Sequence, residues 1–207
     1  MGDLLDAVLR DAQRRGYLGA GDIDAFVRHA LGYLAGPPSL GGADSEDARS
    51  AIDLGSGSGI PGLVLANELP DTTWHLVERS GARADWLRRA VVRLGMADRV
   101  VVRHEPAEMV GRGPLRGTCE LVVARLFGAP AVAAECAAPL LVPGGRAIFS
   151  DVRGALRWDV TPLGELGLAM LGTWANDEGS YVALEQQAPC PDRFPRSPGV
   201  PARRPLF

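Results

Sequence analysis

Apolar positions recur with two different periods along this chain, and the change of period divides it. Residues 22–34, DIDAFVRHALGYL, set Ile23, Phe26, Val27, Ala30, Leu31 and Leu34 at helical spacing behind Asp22, whose side chain suits an N-cap. A weaker helical pattern covers residues 3–15, and residues 36–49, GPPSLGGADSEDAR, are loop by composition. From about Ser50 short apolar runs alternate with helical segments, the pattern of a parallel sheet joined by crossover helices. Strands are predicted at 50–54, 74–78, 99–103, 120–124 and 146–150. Between them, residues 81–94 carry Trp86, Leu87, Ala90, Val91 and Leu94 on one helical face, and residues 129–141 read as an alanine-rich helix. Beyond VPGG at 142–145, two strands near 167–174 and 181–187 read as an antiparallel hairpin that closes a sheet of seven. The expected organisation is a helical extension and loop over 1–49, an α/β core over 50–188 and a Pro- and Arg-rich tail over 189–207.

Composition narrows the function classes. A chain of 207 residues suits one domain, and 46% hydrophobic with 23% charged residues is ordinary for a globular protein rather than a disordered one. The longest apolar stretch, around 129–142, is broken by Glu135 and Pro139 and falls short of the ~20 residues that a membrane span needs. Asp3 and Asp6 stand where a signal peptide would be basic, so a cytoplasmic protein is expected. Cys119, Cys136 and Cys190 form no C-x-x-C pair, and no Cys, His and Asp spacing suggests a metal. The chain contains no lysine, which excludes a lysine Schiff base and the lysine of a phosphate-binding P-loop. With a net charge of −3, affinity for nucleic acid would have to come from a local arginine patch.

Residues 51–62, AIDLGSGSGIPG, carry the candidate chemistry. Gly57, Gly59 and Gly62 satisfy the G-x-G-x-x-G of dinucleotide sites, yet Gly55, Gly57 and Gly59 directly after IDL set the tight turn two residues earlier. Two carboxylates bear on the choice of ligand. Glu78, at the end of the second strand, suits ribose hydroxyls in either kind of site. Asp53, at the mouth of the turn, would repel a pyrophosphate by several kcal/mol on a rough Coulomb estimate, whereas it favours the ammonium and sulfonium groups of S-adenosylmethionine. The latter is the expected cofactor.

Further segments extend the pattern: LVER at 76–79, RLG at 93–95, PAE at 106–108, ARLFGAP at 124–130, LLVPGGR at 140–146 and the terminal FPRSPGVPARRPLF, with RHALGYL upstream from Arg28. Together with DLGSGSGIPG these resemble the bacterial ribosomal RNA small-subunit methyltransferases of the glucose-inhibited division protein B type, over roughly residues 28–207. The resemblance implies a class I S-adenosylmethionine-dependent methyltransferase, a Rossmann-like α/β fold with a mostly parallel seven-stranded sheet and helices on both faces. It implies methylation at ring nitrogen 7 of a guanine in 16S ribosomal RNA, with naked RNA or the small ribosomal subunit as partner. It also implies that Gly55 and Ile60 line the methionine and adenosine side of the cofactor, that Ala107 and Glu108 meet the adenine, and that Arg125 stands at the junction of cofactor and substrate.

The candidate site is therefore Asp53, Gly55, Gly57, Ile60, Glu78, Ala107 and Glu108 for the cofactor, with Arg125 as the candidate catalytic residue. Arg125 could instead form an ion pair with a cofactor-side carboxylate, and His29 reads as packing. The tail arginines Arg193, Arg196, Arg203 and Arg204 read as RNA contacts or as packing. Some positions depart from the family pattern: the leading segment is absent, Gly32 replaces an aspartate, Pro106 stands where an arginine is common, and SDVRG lacks a lysine. They keep open a small-molecule methyltransferase and a non-catalytic binding module as alternatives.

Overall fold

The computed structural model describes residues 3–36, 50–151 and 157–207. Most of the loop expected at 36–49, and the 152–154 part of SDVRG, lie outside the described residues. Helices α1 (Asp3–Arg14) and α2 (Ile23–Leu31) precede β1 (Ser50–Leu54), α3 (Gly62–Glu68), β2 (Thr73–Val77), α4 (Gly81–Arg93) and β3 (Val100–Arg103). There follow α5 (Ala107–Val110), β4 (Cys119–Ala124), α6 (Pro130–Ala137), β5 (Leu141–Ser150), α7 (Val160–Glu165), β6 (Leu168–Asn176), β7 (Gly179–Gln186) and α8 (Val200–Arg203).

The seven strands form one sheet in the order β3-β2-β1-β4-β5-β7-β6. Strands β1 to β5 run parallel, and β7 is antiparallel to both β5 and β6, as the hairpin reading expects. The central strands β1, β2 and β4 are buried on both faces, which explains why they read as continuous apolar runs. Successive residues serve opposite faces. Ala51 and Val123 join the core under α1 to α4, while Ile52, Leu54 and Val122 join the core under α5, α6 and α7.

Local chemistry sets the helix ends. The Asp22 carboxylate accepts from the Asp24 N–H and starts α2. Pro130 opens α6, and Pro139, lacking an N–H, ends it in a short 3₁₀ turn at Ala138–Leu140 rather than the continuous helix expected to 141. The N-terminal helices are tied to the sheet by side chains. Trp86 Nε1 donates to Asp11 at 2.9 Å, Tyr33 Oη donates to the Ala124 carbonyl at 2.9 Å, and Tyr181 Oη donates to the His29 carbonyl at 2.7 Å.

Strand order reverses at β1, which pairs with β2 on one side and β4 on the other. In open parallel sheets the crevice beyond the carboxyl ends of the strands at such a reversal is where ligands bind. The glycine turn of residues 55–59 and the Arg125 segment leave the sheet there, side by side.

Candidate functional site

The turn after β1 is built by backbone geometry. Gly55, Gly57 and Gly59 have φ of 72°, 50° and 83°, a region closed to most side chains. The N–H groups of Gly55 and Ser56 both donate to the Val77 carbonyl, at 2.9 and 3.0 Å, which ties the turn to β2. Glu78 completes the tie: its Oε2 accepts from the Gly57 N–H at 3.0 Å and its Oε1 from the Ser80 N–H at 2.7 Å. A carboxylate has about four acceptor sites, so two such bonds orient Glu78 and leave capacity for a pair of hydroxyls.

Beside this turn lies a cleft of about 390 Å³, within the ordinary range for small-ligand sites of about 300–1,000 Å³. Gly55, Val77, Glu78, Ala107, Glu108 and Phe127 line it. Both signs of charge stand at its rim, with Arg79 and Arg83 beside Glu105. A cradle of glycine backbone with an oriented carboxylate and walls of mixed polar and apolar surface fits an adenosine-bearing ligand.

Asp53 takes a different position from the one expected. Its side chain is fully buried beneath the turn, where Oδ2 accepts from the Gly62 N–H at 3.1 Å, and Oδ1 has no partner among the described residues. The reason is packing: a Cβ at residue 62 would lie 2.5 Å from Asp53 Oδ2, so a glycine there lets α3 start directly on the carboxylate. Burial pushes the Asp53 carboxyl up to about 7, against the opposing pull of hydrogen bonds. Asp53 therefore shapes the turn from below and does not line the cleft. Ile60 is likewise 3% exposed and packs into the core instead of the cleft. Of the residues singled out by sequence, Gly55, Glu78, Ala107 and Glu108 meet in the cleft, and Gly57 joins them through Glu78.

Arg125 stands in a second cavity of about 320 Å³, beyond the ends of β4 and β5. Its guanidinium lies 5.4 Å from the centre of the Phe26 ring, a cation–π distance. The aromatic walls come from Phe127, Phe149 and Trp158, the last two stacked at 5.0 Å and 25°. Charges of both signs converge inside. Asp151 accepts from Trp158 Nε1 at 2.9 Å and from Arg157 at 3.3 Å, and Glu178 pairs with Arg28 at 2.6 Å. His29 also faces this cavity and packs on Tyr33 and Tyr181. Burial first, then the nearby Arg125 charge, lowers its imidazole to about 4, so it is neutral at physiological pH.

Leu126 and Phe127 line both cavities and form the wall between them. Leu126 has φ 54° and is 83% exposed, the single non-glycine residue with positive φ among the described residues. Such a conformation costs on the order of 1 kcal/mol and is found where a site over-determines the backbone.

Sequence reasoning missed Phe127, Asp151, Trp158 and Glu178, which reach the second cavity from four separate segments. It also missed Pro198, Gly199 and Ala202 of the tail, which line the cofactor-side cleft. An aromatic side chain two positions after Arg125 is the one local signal that could have pointed there. Among the described residues no group of three or more His, Cys, Asp or Glu side chains is arranged for a metal ion, and no helix is long and apolar enough to cross a membrane.

Comparison with known proteins places this geometry in context. The family model described as rRNA small subunit methyltransferase G matches residues 2–155. The ribosomal RNA small subunit methyltransferase G of Prochlorococcus marinus is 37% identical over 176 residues, covering 79% of this chain and 70% of that protein. Its counterpart in Chloroflexus aggregans is 37% identical over 166 residues, covering 75% and 68%. Among solved structures, the O-methyltransferase from Bacillus cereus in complex with SAH superposes with a TM-score of 0.64 at 16% identity, covering 89% of this chain and 91% of that one. A SAM-dependent O-methyltransferase from Thermotoga maritima gives 0.61 at 14% identity, covering 87% and 71%. At that level of identity the structural matches establish the class I methyltransferase fold.

Proposed function

The chain belongs to the rRNA small subunit methyltransferase G family, and from that premise we propose that it methylates ring nitrogen 7 of a guanine in 16S ribosomal RNA, in the cytoplasm, using S-adenosylmethionine. The observation that carries the reading is the shared wall: two cavities of ligand size meet across Leu126 and Phe127 at the reversal of strand order. One is fitted for the cofactor and the other for a flat, polar-edged ring.

S-adenosylmethionine supplies, when bound, an electrophilic methyl group on a sulfonium. Gly55 and Val77 give it a close backbone approach, Glu78 offers acceptor capacity to the ribose hydroxyls, and Ala107 and Glu108 flank the adenine. Asp53 acts indirectly, holding the turn through Gly62.

A guanine presents an in-plane lone pair at N7 that carries no proton at neutral pH, so no side chain has to act as a base. The chain's contribution is placement and the exclusion of water, which together supply most of the acceleration in reactions of this kind. Phe127 offers a face for the purine, with the buried Phe149–Trp158 stack in the cavity wall. Arg125 stands to orient the base through O6, or a phosphate through its two-pronged fork, so that the N7 lone pair stays free for the methyl group. Methylation at N7 leaves the purine cationic. Asp151 and Glu178 offset the charges of Arg157 and Arg28 at the cavity where that cation develops, and His29 stays neutral and adds no opposing charge.

Small ribosomal subunits purified from a strain lacking the gene test the reading. Incubation with methyl-labelled S-adenosylmethionine at low salt should transfer label to one guanine of 16S RNA, identified by mass spectrometry as the N7-methyl base. Label in no RNA, with the cofactor still bound, would overturn it in favour of a small-molecule acceptor.

A further inference from the structure

The C-terminal segment does not trail from the fold. Arg196 is locked onto Glu135, a carboxylate with no solvent exposure on α6: its N–H, Nε and Nη2 donate to that side chain at 2.8, 2.9 and 2.6 Å. Arg116 holds the same segment from the other side, donating to the carbonyls of Cys190 at 2.6 Å, Phe194 at 2.7 Å and Gly111 at 3.1 Å. Phe194, 4% exposed, plugs into the core between these anchors. A buried carboxylate bonded three times by one arginine is a costly arrangement that pins the register of the residues C-terminal to it.

Those residues reach the cofactor-side cleft. Pro198, Gly199 and Ala202 line it, and the Gly199 N–H donates to Glu108 Oε1 at 2.9 Å. Gly199 has φ 78°, which turns the chain into α8 at this point. Glu108 thus stands between two neighbours, with one oxygen engaged by the tail and its side chain on the cleft that Ala107 also lines.

We propose that residues 196–202 form one wall of the cofactor site: Pro198, Gly199 and Ala202 contact the adenosine end of the ligand, and the Arg196–Glu135 pair is the positioning device that holds that wall and, through Gly199, the Glu108 carboxylate. The inference rests on the cleft's being the cofactor site. It assigns Arg196 to the protein's own architecture rather than to RNA, and leaves Arg203 and Arg204, both exposed, on the outer side of the wall.

Calorimetric titration with S-adenosylhomocysteine tests it on the full chain. Arg196→Ala should weaken binding about tenfold, and Arg196→Lys should recover part of the loss because one bond to Glu135 can be remade. Ala202→Trp, at an exposed position where a large side chain intrudes on the cleft without disturbing the core, should weaken binding at least as much and covers the case in which Arg196→Ala fails to fold. Val8→Ala, which lowers stability on the opposite face of the sheet, should leave affinity unchanged. S-adenosylhomocysteine should also slow tryptic cleavage after Arg203 in the wild type but not in Arg196→Ala. Tail variants that fold and bind within twofold of the wild type would overturn the inference. Failure of the wild type itself to bind would instead overturn the reading of the cleft.

Discussion

The two cavities are built in different ways. The cofactor-side cleft is centred on one βαβ unit, in which residues 53–80 supply the turn, the carboxylate and the bonds between them, while residues 105–108, 126–132 and 198–202 add its other walls. The second cavity draws His29 from α2, Arg125 from the end of β4, Asp151 from the end of β5, Trp158 from before α7 and Glu178, paired with Arg28, from the β6–β7 turn. The first has a local motif at its centre, in which the turn and its carboxylate are bonded within a short stretch of chain. The second exists only after the whole sheet has closed, so it depends on tertiary contacts such as Arg28–Glu178 and Tyr181–His29. Ligand affinity in the cleft and turnover in the cavity should therefore respond to different substitutions.

The largest effect that would sharpen this division is at Arg125. Arg125→Ala removes the charged fork from the second cavity and should lower kcat/KM for ribosomal RNA by about 100-fold, the size of a lost charged contact of roughly 3 kcal/mol. Affinity for S-adenosylhomocysteine should stay within about threefold. A matching loss of cofactor affinity would break the division. Glu78→Ala makes the converse case. Loss of hydrogen bonds to a charged acceptor, worth about 1.5–3 kcal/mol, should weaken S-adenosylhomocysteine about 10–100-fold, with RNA binding measured without cofactor unchanged. Glu178→Gln should be milder. It keeps the side-chain shape but leaves Arg28 without its partner and the cavity more positive, so it should lower single-turnover kcat by about tenfold with a smaller change in KM, since the added positive charge opposes the developing cation more than the neutral base.

The same division explains what the sequence reveals. Helical and strand periodicity identifies all seven strands and the N-cap at Asp22, because each depends on neighbours a few residues away. The glycine turn and Glu78 are legible for the same reason. Asp53 is half legible: its position in the motif is plain, but whether the carboxylate faces the ligand or the start of α3 depends on which face of β1 it occupies and on the space that Gly62 leaves. Of the second cavity only Arg125 is legible, since Asp151, Trp158 and Glu178 carry no motif and come together through the fold, Asp151 and the β6–β7 turn through the pairing of β5 with β7. Gly32, where the family pattern has an aspartate, also becomes intelligible in the fold: a Cβ there would run into the Tyr181 ring, which packs against His29 and Tyr33. The departure at that position accompanies local repacking around Tyr181.

The smallest expected effect probes the two regions through stability alone. Asp53, under the cleft, is raised by burial from an ordinary 3.8 to about 7, so between those values the folded chain holds a proton that the unfolded chain has released. Its contribution to stability therefore falls as pH rises from about 4 to about 7. His29, in the second cavity, is lowered from 6.5 to about 4, first by burial and then by Arg125, so over much of the same window the unfolded chain holds the extra proton. Its contribution rises with pH. The two groups oppose each other in the wild type, and single variants separate them. Melting temperatures measured from pH 4 to pH 8 should show Asp53→Asn gaining on the wild type as pH rises through that window, because the falling contribution is gone. His29→Phe should show the reverse, with its best standing relative to the wild type near pH 4. Two differences that are flat with pH would mean that neither group titrates abnormally, and a reversal of both signs would mean that each side chain is held charged by an opposite charge in the folded chain instead of being kept neutral by burial.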